Sequence, residues 1–103
     1  SRFNLYNFYQ NNVGITTSKE APIKVLLEVS LNQSEYLISQ PLHMSQKEIS
    51  RTNDHVVFEL FVVATYELES LILGMGEDTR VLEPLIFVNR LKERISLLAE
   101  KYN

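Results

Sequence analysis

His43 and Ser45 are the two residues of this chain whose types and spacing come nearest to catalysis. On an extended strand residues two apart share a face, and an imidazole beside a hydroxyl is the start of a nucleophile and its base. No carboxylate stands at a spacing that would orient the imidazole, so acyl transfer is not expected. Metal chemistry meets a similar limit. His43 and His55 are the only histidines, there is no cysteine, and no HExxH spacing is present to gather ligands on one helix face. Gly74-Met75-Gly76 lacks the third glycine and the strand-to-helix setting of a phosphate loop, and reads as a helix stop. The expectation is a chain that is not an enzyme and holds no cofactor. His43, Ser45 and Gln46 then cap the first helix or hydrogen-bond the start of an edge strand. The sharper alternative is a polar contact to a neighbouring domain or to an effector. In that alternative Arg51 and Arg80 would pair with an anion, although scattered arginines are usually solvated.

Such residues need elements to hold them, and the length allows those of one domain. A chain of 103 residues buries roughly 60 to 70 per cent of its unfolded surface on folding, enough for one core without staples. The formal net charge is −3, which lacks the basic stripe that gives duplex DNA binding its salt-dependent affinity. Any DNA reading is therefore expected outside this chain. No apolar run approaches the roughly 18 residues of a membrane span, and the first residues lack the order of a signal peptide. A cytoplasmic location is the expectation, consistent with the absence of cysteine. The start at Ser1-Arg2-Phe3, without an initiator methionine, suggests a fragment.

Residues 1–22 are the least regular part, with many asparagines, Gly14 and Pro22, yet Phe3, Leu5, Tyr6, Phe8 and Tyr9 are more apolar than a flexible linker. They are expected to pack on protein. From Ile23 the pattern sharpens. Val25, Leu27 and Val29 alternate with Lys24 and Glu28 in the period of a strand, with Leu26 adding an apolar group to the second face. Ser30 and Gln33 form a capping box for a short helix with Leu31, Glu35 and Ile38 along one side, which Pro41 ends. His43 to Arg51 reads as a polar edge strand, and Thr52-Asn53-Asp54 as the turn into a far more apolar strand from His55 to Ala64.

Thr65 is an N-cap, and Glu67 and Glu69 stand in the first turn, where carboxylates favour the helix dipole. Leu68, Leu71, Ile72 and Met75 repeat at helical spacing, with Leu71 at the centre of the expected core stripe, and Gly74 and Gly76 supply the stop. Thr79 to Leu82 is one short strand. A last helix from about Pro84 to about Lys101 carries Val88, Leu91, Ile95, Leu98 and Tyr102 on one stripe, with Arg90, Lys92, Glu93, Arg94, Glu100 and Lys101 on the remaining surface. The three-then-four spacing reads as a helix lying on its own domain rather than as a free coiled coil.

The order strand, helix, strand, strand, helix, strand, helix predicts an α+β fold, a ferredoxin-like βαββαβ sandwich with an added C-terminal helix. The strands at Ile23 and His55 are central, and those at His43 and Thr79 are edges. Val25, Leu27, Val29, Phe58, Leu60, Val62 and Val81 face the helices. Leu26, Val57, Phe61, Val63 and Leu82 share the opposite side with Glu59. Such an apolar area is seldom left in water, so that side is expected to be an interface unless the added helix covers it.

Pro41-Leu42-His43-Met44-Ser45-Gln46 and Thr65-Tyr66-Glu67-Leu68-Glu69 resemble, in turn, the histidine-x-serine-glutamine segment and the start of the second helix of the C-terminal extension, or WCX domain, that follows the WYL domain in bacterial transcriptional regulators. Gly76, Val81-Leu82-Glu83-Pro84 and Tyr102 also match, with Phe87 and Leu91 at apolar positions. Phe3-Asn4 and Gly14-Ile15 resemble the connection leading out of a WYL domain. The resemblance implies residues 1–22 as a connecting segment from an upstream WYL domain and residues 23–103 as the extension itself. It further implies a parent regulator with a winged-helix DNA-binding domain and a WYL domain that binds a nucleic-acid-derived effector. The extension would then assist homodimerisation and interdomain communication. A small-molecule sensor of ferredoxin-like type is the alternative, which a glycine-rich loop after the first strand would favour; Ser30-Leu31-Asn32-Gln33 contains no glycine.

Overall fold

The computed structural model describes residues 21–103, so the aromatic opening segment lies outside the described residues. Strand β1 (Ile23–Ser30) runs directly into α1 (Leu31–Ser39), because Ser30 is both the last strand residue and the N-cap. Its Oγ accepts the Gln33 N–H at 3.1 Å. Strands β2 (Lys47–Arg51) and β3 (His55–Val62) form a hairpin. At its turn Thr52 Oγ1 accepts the N–H groups of Asp54 and His55, each at 3.1 Å. Thr65 caps α2 (Tyr66–Gly74), accepting the Leu68 N–H at 3.0 Å. The chain leaves that helix through a single 3-10 turn (Gly76–Asp78), and Gly76 has φ +69°, the left-handed conformation glycine adopts without steric cost. Strand β4 (Thr79–Glu83) and helix α3 (Leu85–Glu100) complete the chain, with Pro84 as the N-cap of α3 rather than its first residue.

The four strands are antiparallel in the order β2-β3-β1-β4, the ferredoxin-like arrangement with β1 and β3 central. One face holds the core. Val25, Leu27 and Val29 of β1, Val56, Phe58, Leu60 and Val62 of β3 and Val81 of β4 meet Leu37 of α1, Leu68 and Ile72 of α2, and Phe87 and Leu91 of α3. The period-two assignment of the sheet faces therefore holds. The added helix packs on the same side as the other two helices, and it does not cover the opposite face.

Three helix faces and several element boundaries differ from the sequence expectation, β3 for one ending at Val62 rather than Ala64. In α1 the buried residues are Ser34 and Leu37, while Leu31 and Ile38 are exposed. In α2 Leu71 is 56% exposed and Glu69 is fully buried. The core side of that helix runs along Leu68, Ile72 and Glu69, because the carboxylate has a cationic partner on α3 to receive it. On α3 Arg90 is buried and Arg94 half-buried, not part of the solvated surface. The stripe of α3 divides: Phe87 and Leu91 are core, Val88 is half-buried, and Ile95, Leu98 and Tyr102 are 52%, 58% and 84% exposed. Strand β2 begins at Lys47, not His43, because residues 43–46 turn on themselves through a Gln46 N–H to His43 C=O bond of 3.0 Å.

Candidate functional site: a polar corner and an open sheet face

Residues 42–46 form a hydrogen-bonded corner between α1 and the free end of β2. Pro41 stops α1, leaving last-turn carbonyls without intrahelical partners, and Gln46 Nε2 donates to one of them, Leu37 C=O, at 2.9 Å. The same amide accepts the Leu42 N–H through Oε1 at 2.9 Å. Gln46 thus closes the helix end and the loop together.

Ser45 stands where the β2–β3 register, extended two residues beyond the pair Lys47 and Glu59, would place the partner of Phe61. Its side chain does what the backbone of a longer strand would have done. Ser45 Oγ accepts the Phe61 N–H at 2.9 Å and lies 3.1 Å from the Phe61 carbonyl. His43 Nδ1 is 2.8 Å from the same oxygen and accepts the Ser45 N–H at 3.0 Å. An Nδ1 that accepts an amide proton places the proton of a neutral imidazole on Nε2. The single hydroxyl proton then has two acceptors, Phe61 C=O and His43 Nδ1. The hydroxyl is held to the Phe61 backbone in this way beside an exposed imidazole that, among the described residues, has no carboxylate bonded to it.

The two arginines singled out from the sequence lie elsewhere. Arg51 pairs with Val56 near the start of β3, roughly 17 Å along the sheet from Phe61 at about 3.3 Å per residue. It clasps Glu48 with bonds of 2.9 and 3.0 Å. That hydrogen bond holds the Glu48 carboxyl below the usual carboxylate range and raises Arg51 above the ordinary guanidinium value. Arg80 lies on the opposite edge strand, where Nη2 and Nε meet Glu28 Oε1 at 3.1 and 3.2 Å. The other oxygen of Glu28 is 3.2 Å from His55 Nε2. A shallow depression runs beside this trio, lined also by Glu77, Asp78 and Thr79. His43, Ser45 and Gln46 therefore form one cluster, and Arg51 and Arg80 belong to neither it nor each other.

The side of the sheet away from the helices carries Leu26 and Val57 half-buried, Phe61 57% exposed and Leu82 37% exposed, while Val63 is half-buried just beyond the end of β3. Lys24 stands across from Phe61 and Glu59 across from Leu26, while Glu28 pairs with Val57 on one side and Arg80 on the other. Apolar and charged side chains of both signs thus share this face.

A third polar cluster joins α2 to α3. Glu69 Oε1 meets Arg94 Nη1 at 3.2 Å, Arg94 Nη2 donates to Ser70 Oγ at 3.2 Å, and its guanidinium sits 4.1 Å from the Tyr66 ring centroid. Arg90 is buried one turn earlier on α3. Sequence reasoning placed Glu69 in the first turn and Arg90 and Arg94 at the surface. The available signal was the cluster of Arg90, Lys92 and Arg94 itself, since arginines one turn apart present one face that a buried carboxylate can fill.

Among the described residues no group of three or more histidine, cysteine or acidic side chains could hold a metal ion, and no helix is long and apolar enough to cross a membrane. Compared with known proteins, the chain finds no match among curated proteins. Residues 21–99, well over half of its length, match the family model of the WCX domain. That span covers every strand and all but the last residue of α3, and the chain accordingly belongs to the WCX family, a domain of WYL-type regulators.

Proposed function

We propose that this chain is a non-enzymatic regulatory domain that dimerises a WYL-type transcriptional regulator through the open face of its sheet and helps relay effector sensing between domains. Residues 1–22 connect it to an upstream WYL domain, and duplex DNA is read by a winged-helix domain elsewhere in the same protein. The observation that carries the proposal is the composition of the open face. Phe61 and Leu82 are exposed beside Leu26 and Val57, with Val63 just beyond the end of β3, on the side that none of the described helices occupies. A two-fold contact sets one copy of a patch against itself. Lys24 and Arg80, with Glu28 and Glu59, provide both signs of charge for such a self-complementary rim.

In this arrangement Ser45 and Gln46 act within the domain. His43, exposed at the corner, is the member of the trio placed to touch a neighbouring domain. The test is Phe61→Glu. A charge is tolerated in solvent and rejected from a desolvated contact, so light scattering should report a monomer where the unaltered chain is a dimer, with an unchanged circular dichroism spectrum. A folded variant of unchanged mass would remove this face from the assembly.

A further inference from the structure

The apolar stripe of α3 runs on uncovered through the last turns of the helix and the turn that follows it, while Arg94 and Leu97 on the adjacent side stay half-buried. Phe87 and Leu91 anchor the first half of the helix in the core, and the same side then presents Ile95, Leu98 and Tyr102 with more than half of each exposed. At 100° per residue, Lys92 and Lys101 fall on the two flanks of this stripe, about 90° to either side of its centre, while Glu93 and Glu100 lie on the back of the helix. The exposed stripe is therefore edged by cations on both sides, with its acidic residues turned away.

That distribution selects among occupants. A second copy of α3 packed on the stripe, in either direction, would bring lysine flanks together with no carboxylate between them, and like charges across such a seam oppose pairing. A helix with apolar anchors and glutamate or aspartate on its flanks would bury the same stripe and pair with Lys92 and Lys101. We propose that the C-terminal half of α3 is a docking site for an acidic amphipathic helix. The contact spans about 10 Å of helix axis between Ile95 and Tyr102 at 1.5 Å per residue. It is thus a short contact of modest affinity on a pre-organised helix. It is separate from the open sheet face, so each can fail without the other.

Two synthetic helical peptides test it, each with a leucine stripe, one flanked by glutamates and the other by lysines, titrated into the 103-residue chain by calorimetry. The acidic peptide should bind at least ~10-fold more tightly than the basic one, a difference of about 1.4 kcal/mol. Leu98→Ser should weaken it by a similar factor while thermal melting stays unchanged. Lys92→Glu with Lys101→Glu, both exposed positions, should invert the preference between the peptides. Equal binding of the two, absence of binding, or indifference to Leu98→Ser would overturn the proposal. A dimer in sedimentation that Leu98→Ser dissolves would also overturn it, by giving the stripe to a second copy.

Discussion

Two of the carboxylate–arginine pairs among the described residues differ in opposite ways. On the sheet edge Glu48 and Arg51 make two bonds of 2.9 and 3.0 Å with side chains 37% and 45% exposed. Between the helices Glu69 and Arg94 make a longer contact of 3.2 Å, with Glu69 fully buried and Arg94 17% exposed. The shorter pair is the less consequential one. Water and salt screen the edge pair, which connects residues three apart on one strand and so constrains little. The interhelical pair joins residues 25 apart, and the fully buried Glu69 has no bulk water to return to if its partner is removed. Contact length alone ranks these two pairs in the wrong order, and burial ranks them correctly.

Breaking the buried pair should give the largest effect. Glu69→Ala leaves Arg94 without its carboxylate at a half-buried site and is expected to lower stability by about 3 to 5 kcal/mol in urea unfolding. Replacing both partners sharpens the point: Glu69→Leu with Arg94→Met should cost much less than Glu69→Ala, since the Arg94 charge is removed together with its carboxylate. If the double variant is as unstable as the single one, the pair is not what joins α2 to α3.

An apolar pair of substitutions on the same two helices provides the next comparison. Leu91→Ala, at a residue 6% exposed, should cost about 2 to 5 kcal/mol. Leu71→Ala, at 56% exposure, should stay within about 0.5 kcal/mol, as surface substitutions do. Equal shifts of the urea midpoint would mean that α2 turns a different face to the sheet.

The smallest effect belongs to the edge pair and is best read by titration. Glu48 has a lowered folded pKa because Arg51 bonds its charged form. A depressed carboxylate stabilises the fold above its unfolded pKa, and that contribution disappears as pH falls through the lower folded value. Its window therefore lies on the acid side of the ordinary carboxylate range. In an NMR titration Arg51→Ala should return Glu48 to that ordinary range, with no measurable change of the urea midpoint at neutral pH. A large destabilisation at neutral pH would contradict the ranking by burial.

Local physical chemistry, legible in the residues, determined most of the architecture. Alternation in Val25, Leu27 and Val29 and in Phe58, Leu60 and Val62 assigned the faces of the sheet because a strand's period is two wherever it lies. Ser30, Thr65 and Gly76 set helix ends through bonds and torsions that need only a few neighbouring residues. The order of elements then restricted the topology to the sheet observed. Tertiary structure decided which part of each helix was buried. Glu69 displaced Leu71 from the core side because Arg94, far along the chain, arrives there with a matching charge. Ser45 left the strand because its hydroxyl could serve Phe61 from a turn, and beyond Leu91 helix α3 keeps Arg94 and Leu97 half-buried while Ile95 and Leu98 are exposed. A helix can present more than one apolar or amphipathic side, so its pattern admits several burials, and only the partner that packs against it selects one.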